Sequence, residues 1–312
     1  MKYKILEMLK SADSFVSGEE LSKKLGISRS AVWKNINSLR KEGFEINSVP
    51  SKGYILSFAP DRINPELLKK NVPGNVYYFN EVDSTNIEAK RAENVPDRSV
   101  FIAETQTGGR GRLGRKWSSP LGSGIWMSLY LEPEISACDV SKLTLVAGLS
   151  VCRAIKGSRI KWPNDVLIGD KKICGILTEM SAEIDRVNRV IVGIGVNVNN
   201  EVFGIDLIEK ATSLYRETGK KHSREKLAAD ILSEFFELYD KFVEKGFDSI
   251  KEEYTKKCIT LNREVIIIRN GQEMLAQAVD ITENGELLVE VDGNRFIVNS
   301  GEVSVRGLLG YN

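Results

Sequence analysis

Lys161-Trp162-Pro163-Asn164-Asp165-Val166-Leu167-Ile168-Gly169-Asp170-Lys171-Lys172-Ile173-Cys174-Gly175 is the stretch from which the fold can be worked out. A short strand closes at Lys161 to Asp165, and Val166-Leu167-Ile168 then runs apolar into a Gly169-Asp170 turn before Ile173 opens a second apolar run. Two such runs joined by a two-residue glycine turn read as a hairpin. Working outward, Val76–Phe79, Val100–Ala103, Ile125–Leu131, Ile173–Glu179 and Arg189–Val198 read as strands, and Ser84–Glu93, Ser141–Ile155 and Arg224–Lys245 as helices. Strands and helices that mix in this way predict a mixed sheet with helices against it, an α+β (α/β) domain. The turn sets Lys172 near the start of a buried strand, where a lysine either snorkels to solvent or serves a ligand. Asn164 and Asp165, after a proline, are either turn residues or ligand-side groups. A carboxylate there can hold a magnesium ion or take a proton from an amine.

Gln106 to Trp117 is a long loop with four glycines, including Gly111, four cations, among them Arg110 and Arg112, and no acid. Glycines let backbone amides curl around a phosphate and arginine forks match its oxygens, so a phosphate-bearing ligand is one reading. A solvated, mobile loop is the other. Asp83-Ser84-Thr85-Asn86 reads first as a helix N-cap, although the same hydroxyls and amides can bind a polar ligand group at a helix start. Val190 to Asn197 is a buried strand whose Gly193 and Gly195 permit close approach, with Asn197 emerging at its end. Its Gly-x-Gly lacks the third glycine and the helix of a dinucleotide fingerprint.

At 312 residues the chain exceeds one ordinary core, which predicts two or three domains. No apolar run approaches a membrane span, and Met1-Lys2-Tyr3-Lys4 leads into an amphipathic segment unlike a signal peptide. Both point to the cytoplasm. The cysteines at 138, 152, 174 and 258 lack metal-ligand spacing, and His222 is the only histidine. Structural zinc is therefore improbable, and a histidine-dependent triad or two-histidine metal site is nearly excluded. Met1 to Phe58 carries ten Lys/Arg against six Asp/Glu, whereas the remainder is slightly acidic. A basic head on an acidic body fits a polyanion-binding module.

Within that head, Ser17-Gly18-Glu19-Glu20 forms a capping box ahead of a helix ending at Gly26. Ser28 can cap a second helix with Val32, Ile36 and Leu39 on one face. Two helices joined by a tight turn, followed by a hairpin over Phe44–Val49 and Tyr54–Leu56, read as a winged helix-turn-helix. For a helix in the DNA major groove, Arg29 and Lys34 supply charge, Ser30 or Asn35 reads base edges, and Lys52 on the wing adds a backbone contact. Small winged domains also serve as protein-interaction modules, with Trp33 then partly core. Ser57-Phe58-Ala59-Pro60 reads as a linker.

Gly109-Arg110-Gly111-Arg112 ending in Trp117, Lys161-Trp162-Pro163-Asn164-Asp165, and Lys172 with Gly175 together closely resemble the biotin–protein ligases of the type that is also a biotin operon repressor. The head resembles the family too, in Ser28 to Lys34 and Val49 to Tyr54. The resemblance implies a winged helix-turn-helix over 1–60, a central mixed-sheet catalytic domain over 65–262 and a small SH3-like barrel over 263–312. Val265–Ile268, Met274–Val279, Leu287–Val291, Arg295–Val298 and Val303–Val305 agree as five short strands. Carried over by motif position, Ser84, Thr85, Asn86, Gln106, Arg110, Gly111, Arg112 and Lys172 surround biotin and the acyl phosphate. Trp117, Lys161, Asn164, Asp165 and Asn197 serve the adenylate side, and Ser28, Arg29, Ser30, Trp33, Lys34, Asn35 and Lys52 the DNA.

The implied reaction joins biotin to ATP, with Mg2+, and passes biotin to a lysine of a biotin carboxyl carrier protein. A carboxylate with a pKa of about 4 needs no base to attack phosphorus, so the scarcity of imidazole is no obstacle. Arg110, Arg112 and Lys172 are expected to offset the meeting of two anions, and Asp165 to accept the incoming amine's proton. The resemblance also implies that the arginine loop orders over the adenylate, promoting a homodimer that binds operator DNA. Two rivals stand beside this: a ligand-sensing transcription factor without catalysis, and a ligase for lipoate or another carboxylate.

Overall fold

The computed structural model describes residues 1–183, 186–269, 272–300 and 304–307, in two compact units, 1–66 and 67–312. Val303, read as the start of the last strand, lies outside the described residues.

The first unit is three helices and a hairpin: α1 (Lys2–Lys10), α2 (Gly18–Leu25), α3 (Arg29–Lys41), β1 (Glu45–Val49) and β2 (Gly53–Phe58). Ser17 Oγ accepts the Glu20 amide at 3.0 Å, but Glu20 does not close a capping box. Its carboxylate lies 2.9 Å from Lys24 one turn on, where an i,i+4 ion pair competes with the cap. Gly26 ends α2 in the left-handed region at φ 62°, a conformation that costs glycine nothing. Ser28 caps α3 through the Ala31 amide, 3.1 Å away. Val32, Ile36 and Leu39 join Ile5, Leu6, Leu9, Leu21, Phe44 and Ile46 in one core. Ser57 and Phe58, expected in a linker, belong to β2, and Ser57 Oγ donates to Glu45 O across the hairpin.

A short helix, α4 (Pro65–Leu68), spans the boundary. The second unit holds a seven-stranded sheet of β3 (Val76–Val82), β4 (Ser99–Gln106), β5 (Gly124–Leu131), β6 (Arg159–Lys161), β7 (Asp165–Ile168), β8 (Lys171–Glu183) and β9 (Arg186–Asn197). Its order is β3-β4-β5-β9-β8-β7-β6, parallel only between β3 and β4. The sheet is therefore mixed, as expected, with the hairpin of the opening stretch at one edge. The helices are α5 (Thr85–Arg91), α6 (Lys142–Ala154), α7 (Leu214–Thr218), α8 (Arg224–Lys245) and α9 (Asp248–Lys257). α6 is apolar on nearly every face and buried from Leu143 to Cys152, except at Thr144, because sheet lies on one side and α8 on the other.

One charged pair sits inside this core. Arg224, the first residue of α8, reaches Glu104 of β4 at 2.8 Å with both side chains wholly buried. It also donates to Gly124 O at 3.1 Å, and Tyr78 Oη donates to Glu104 at 2.9 Å. With each charge satisfied in this way, the pair pins α8 to the start of β5, and losing either partner would strand a buried charge.

The tail forms an antiparallel five-stranded sheet, β13-β12-β11-β10-β14, from β10 (Glu264–Arg269), β11 (Gln272–Ile281), β12 (Leu287–Val291), β13 (Asn294–Val298) and β14 (Ser304–Gly307). It occupies the position of the expected SH3-like unit. Its β11–β12 turn meets the opening stretch: Trp162 Nε1 donates to Gly285 O at 3.0 Å. Just ahead of the tail, Thr260 Oγ1 accepts the Trp162 amide at 2.9 Å.

Candidate active site

Two adjoining cavities open on the sheet, one over β4, β5, β8 and β9 and the other beside β6, β7 and the ends of β8 and β9. Ser84, Thr85, Asn86, Gln106, Arg110, Gly111, Arg112 and Lys172 all line the first, whose apolar wall is Trp126, Met127, Ile176, Leu177 and Ile194. Trp117, Lys161, Asn164, Asp165 and Asn197 all line the second. Gly111, Arg112, Trp117, Asn164 and Lys172 border both. The two residue groups separated on the sequence thus fall on two neighbouring chambers, with two cations at the doorway.

Glycines make the room. Gly175 of β8 and Gly195 of β9 are register partners, and the Trp117 indole lies on both. A Cβ on Gly195 would stand 2.6 Å from Trp117 Nε1, and one on Gly193 would stand 2.3 Å from Asn86 Oδ1, distances no packed atom tolerates. The strand's Gly-x-Gly is therefore a seat for two side chains. Trp117 meets Trp126 edge-on with ring centroids 6.4 Å apart. Both indole N–H groups are buried with no hydrogen-bond partner among the described residues.

The arginine loop folds as a small hairpin. Trp117 N donates to Gly109 O at 2.9 Å and Gly111 N to Arg115 O at 2.7 Å, with Leu113 and Gly114 at positive φ at its tip. Arg110 is exposed and Arg112 half-buried. Arg112 donates to Asn164 Oδ1 at 2.9 Å and to the Ser300 carbonyl of the tail. Burial lowers its pKa from the ordinary arginine value, the Asp165 charge works the other way, and Arg115 adds to the lowering. A guanidinium so desolvated, bonded to neutral oxygens, still seeks an anion. Lys172 Nζ is 2.6 Å from Asp165 Oδ1 and 5.2 Å from the Trp117 ring centroid. Asn164 spends its amide on Asp165 at 3.0 Å and on Ile176 O at 3.2 Å, so it braces the doorway.

At the closed end of the first chamber the polar groups form a chain. Gln106 Oε1 accepts the Thr85 amide at 2.9 Å and lies 3.2 Å from its hydroxyl, while Gln106 Nε2 donates to Ser119 Oγ at 2.7 Å. Ser128, wholly buried on β5, lies 2.7 Å from Thr85 Oγ1 and 2.6 Å from Asn86 Oδ1. Asn86 Nδ2 donates to Glu179 at 2.8 Å and Leu177 O at 3.3 Å, and Lys90 Nζ to Glu179 at 2.5 Å. Burial raises the Glu179 pKa, but hydrogen bonds from Lys90 and Asn86 and the charges of Lys90 and Arg110 outweigh it and leave the carboxyl below its ordinary value. Ser84 stands at the N-cap position of α5, as expected, but its side chain makes no cap bond there, while its own amide donates to Asp83 Oδ1 at 2.7 Å. Its hydroxyl is left to the chamber. Ser119, Ser128, Glu179 and Lys90 were not singled out from the sequence.

Three family models match in series: an HTH domain over residues 2–55, the biotin/lipoate A/B protein ligase family over 78–197 and the biotin protein ligase C-terminal domain over 260–306. The bifunctional ligase/repressor BirA of Bacillus subtilis is 38% identical, the match covering 92% of this chain and 93% of the relative. That of Escherichia coli is 31% identical over 97% and 96%. The biotin protein ligase of Aquifex aeolicus, solved in complex with biotin and ATP, superposes with a TM-score of 0.67 at 35% identity, over 75% of this chain and 99% of that one. The chain belongs to the bifunctional biotin ligase/repressor family.

Other features of this family member bear on its head. Ser28, Arg29, Ser30, Trp33, Lys34 and Lys52 are all exposed, and Trp33 is 59% so, which removes it from the core. Arg29 is paired with Glu19, and Asn35 donates to Ala31 O of its own helix at 2.7 Å. Among the described residues no helix is long and apolar enough to cross a membrane, and no group of three or more metal-ligating side chains occurs.

Proposed function

We propose that this chain activates biotin with ATP to biotinyl-5'-AMP and transfers the biotinyl group to a lysine of a biotin carboxyl carrier protein. The observation that carries this is the meeting of two chambers at Arg112 and Lys172. Biotin has a polar urea head, an apolar body and a carboxylate tail. The first chamber has hydrogen-bonding groups at its closed end, an apolar wall and cations at its mouth, in that order. Lipoate offers no polar head to Gln106, Thr85 and Ser84, so their buried groups would lose hydrogen bonds on binding it.

With the head held inside, the carboxylate emerges beside Arg112 and Lys172, where the α-phosphate of a nucleotide in the second chamber also falls. The carboxylate attacks phosphorus as it stands, since a group of pKa about 4 is ionised near neutrality. Arg112 and Lys172 serve to neutralise the approach of two anions and the charge that builds on phosphorus, the kind of preorganised donor whose loss costs about 10²–10³ in rate. Arg110 adds charge from the surface. Trp117, Lys161 and Asn197 hold the nucleotide, and Asn164 keeps the doorway in shape. Mg2+ fits as an ion carried by the nucleotide's phosphates, where it would neutralise the pyrophosphate, because one or two carboxylates suffice for such an ion and Asp165 is at hand. In the second step the incoming lysine amine attacks the acyl carbon of the adenylate, the C–O bond to phosphate breaks and AMP leaves, while Asp165, released from Lys172 by the bound phosphate, takes the amine's proton.

The head supports a second role as repressor. Lys34, Ser30, Trp33 and Lys52 present charge and hydrogen-bonding groups on one helix and its wing, for operator DNA. A two-half-site operator requires two heads, so an adenylate-promoted homodimer is the proposed assembly, acting in the cytoplasm beside its carrier protein. ATP–pyrophosphate exchange with biotin, lipoate and octanoate tests the substrate: exchange with biotin alone is expected, and exchange with lipoate but not biotin overturns it. Transfer of labelled biotin to a carrier domain separates a ligase from a regulator that only senses its ligand.

A further inference from the structure

Asn200 borders the second chamber and not the first, is 5% exposed, and has a buried side-chain oxygen with no hydrogen-bond partner among the described residues. We infer that Asn200 reads the nucleobase, its Oδ1 accepting the exocyclic amine of adenine, and so selects ATP over nucleotides with a carbonyl at that place. This rests on the nucleotide reading of the second chamber given above and adds the residue that tells one base from another.

The backbone around Asn200 is tied on both sides. Asn199 N donates to Ser123 O at 2.6 Å, and the Asn199 side chain clasps His222, accepting its amide at 2.9 Å and donating to its carbonyl at 2.8 Å. Ser213 Oγ donates to Asn200 O at 2.6 Å and also caps α7, accepting the Arg216 amide at 3.2 Å. A residue held in this way keeps its side chain within a narrow range. A buried acceptor that stays empty forfeits its hydration, so a bound donor at Oδ1 recovers what folding gave up.

The path along β9 puts Asn200 at the base end. Gly195 borders the first chamber, and the Trp117 seated on it borders both. Asn197, one side-chain step further on the same face, borders only the second, and Asn200 follows past the end of the strand. With the α-phosphate at Arg112 and Lys172, the base is the part of the nucleotide carried furthest into the second chamber. Three buried polar side chains border that chamber alone, Lys161, Asn197 and Asn200. Lys161 cannot accept, and Asn197 stands nearer the doorway. Asp165 is engaged by Lys172 at 2.6 Å, and Asp206 is exposed. The N6 amine carries the N–H donors on the edge of adenine, whereas guanine and hypoxanthine place a carbonyl oxygen there. Against Asn200 Oδ1 that oxygen sets acceptor against acceptor.

The test is biotin-dependent pyrophosphate exchange in the full chain with ATP, with ITP, and with purine riboside triphosphate, which carries hydrogen where adenine carries its amine. In the wild-type chain the KM for purine riboside triphosphate should exceed that for ATP about 10- to 100-fold, the scale of one buried hydrogen bond lost. The KM for ITP should exceed it by at least as much. Asn200→Leu keeps the volume and removes both polar atoms, and should raise the KM for ATP about as far, with kcat and the KM for biotin within about twofold. It should leave the KM for purine riboside triphosphate within about threefold, because variant and analogue remove one and the same contact. Equal use of the three nucleotides by the wild-type chain overturns the inference. So does a folded N200L chain in which ATP keeps its advantage, or one whose KM for biotin rises as much as that for ATP, the mark of general damage. If N200L does not fold, Asn200→Ala, which needs less room, takes its place with the same readings. A wild-type chain without any exchange overturns the ligase reading alone. Calorimetric binding of ATP and purine riboside triphosphate then decides the base assignment: equal affinities overturn it, and a preference for ATP of about tenfold that the variant abolishes upholds it.

Discussion

Lys172 Nζ stands 2.6 Å from Asp165 Oδ1, across a hairpin joined by two residues. A cation and an anion proposed for two successive steps are therefore each other's counter-ion. Lys172→Ala should lower adenylate formation at saturating ATP by about 10²–10³ while the protein stays folded, read by pyrophosphate exchange. Asp165→Asn should instead slow transfer from preformed adenylate to the carrier. A transfer rate unaffected in that variant removes Asp165 as the base.

Gly195→Ala puts a methyl 2.6 Å from Trp117 Nε1 and 2.7 Å from Cε2. The indole must shift, at a cost of about 1–3 kcal/mol, and the KM for ATP should rise about tenfold. An ordinary KM in a folded variant would take Trp117 off the nucleotide side.

Exposed lysines on the head should report on DNA through salt. Lys34→Ala and Lys52→Ala should each weaken binding to duplex DNA of any sequence and lower the salt dependence by about one counter-ion. Salt titrations with unaltered slopes would leave the head without a DNA role for these two side chains.

Arg153 of α6 gathers Glu253 at 2.5 Å and Glu234 and Glu237 at 3.1 Å each. Its hydrogen bonds lower the Glu253 pKa, and Lys241 together with Arg153 lowers that of Glu237. Carboxyls depressed in the folded chain contribute stability above the unfolded value of about 4.3, and lose it as pH falls through the folded value. Arg153→Met should therefore flatten the acid limb of a Tm-against-pH curve. A parallel curve, merely lowered, would refute the assignment.

The elements were legible where the signal is local, whereas the split into a biotin group and an adenylate group came from the family resemblance. Strand runs, the Gly-Asp turn and the arginine loop announce themselves within a dozen residues, and every residue assigned to biotin or adenylate lines its own chamber. Ser128 carried a faint signal, a lone hydroxyl in the otherwise apolar strand Gly124–Leu131. Glu179 carried less, being one acid at a strand end, and its tie to Asn86 joins residues 93 positions apart. The Arg224–Glu104 pair spans 120 positions. Such partners are chosen by sheet order and burial, which no local pattern encodes. Glu20 shows the converse: its capping pattern was present, and a competing lysine one turn away took the side chain.

The tail supplies two backbone oxygens to the catalytic half, Gly285 O to Trp162 and Ser300 O to Arg112. Anyone shortening this scaffold into a compact laboratory labelling reagent would find no seam there to cut. A truncation after α9 would leave one site tryptophan and the doorway arginine without those acceptors, so the smallest portable enzyme is the sheet with its tail attached.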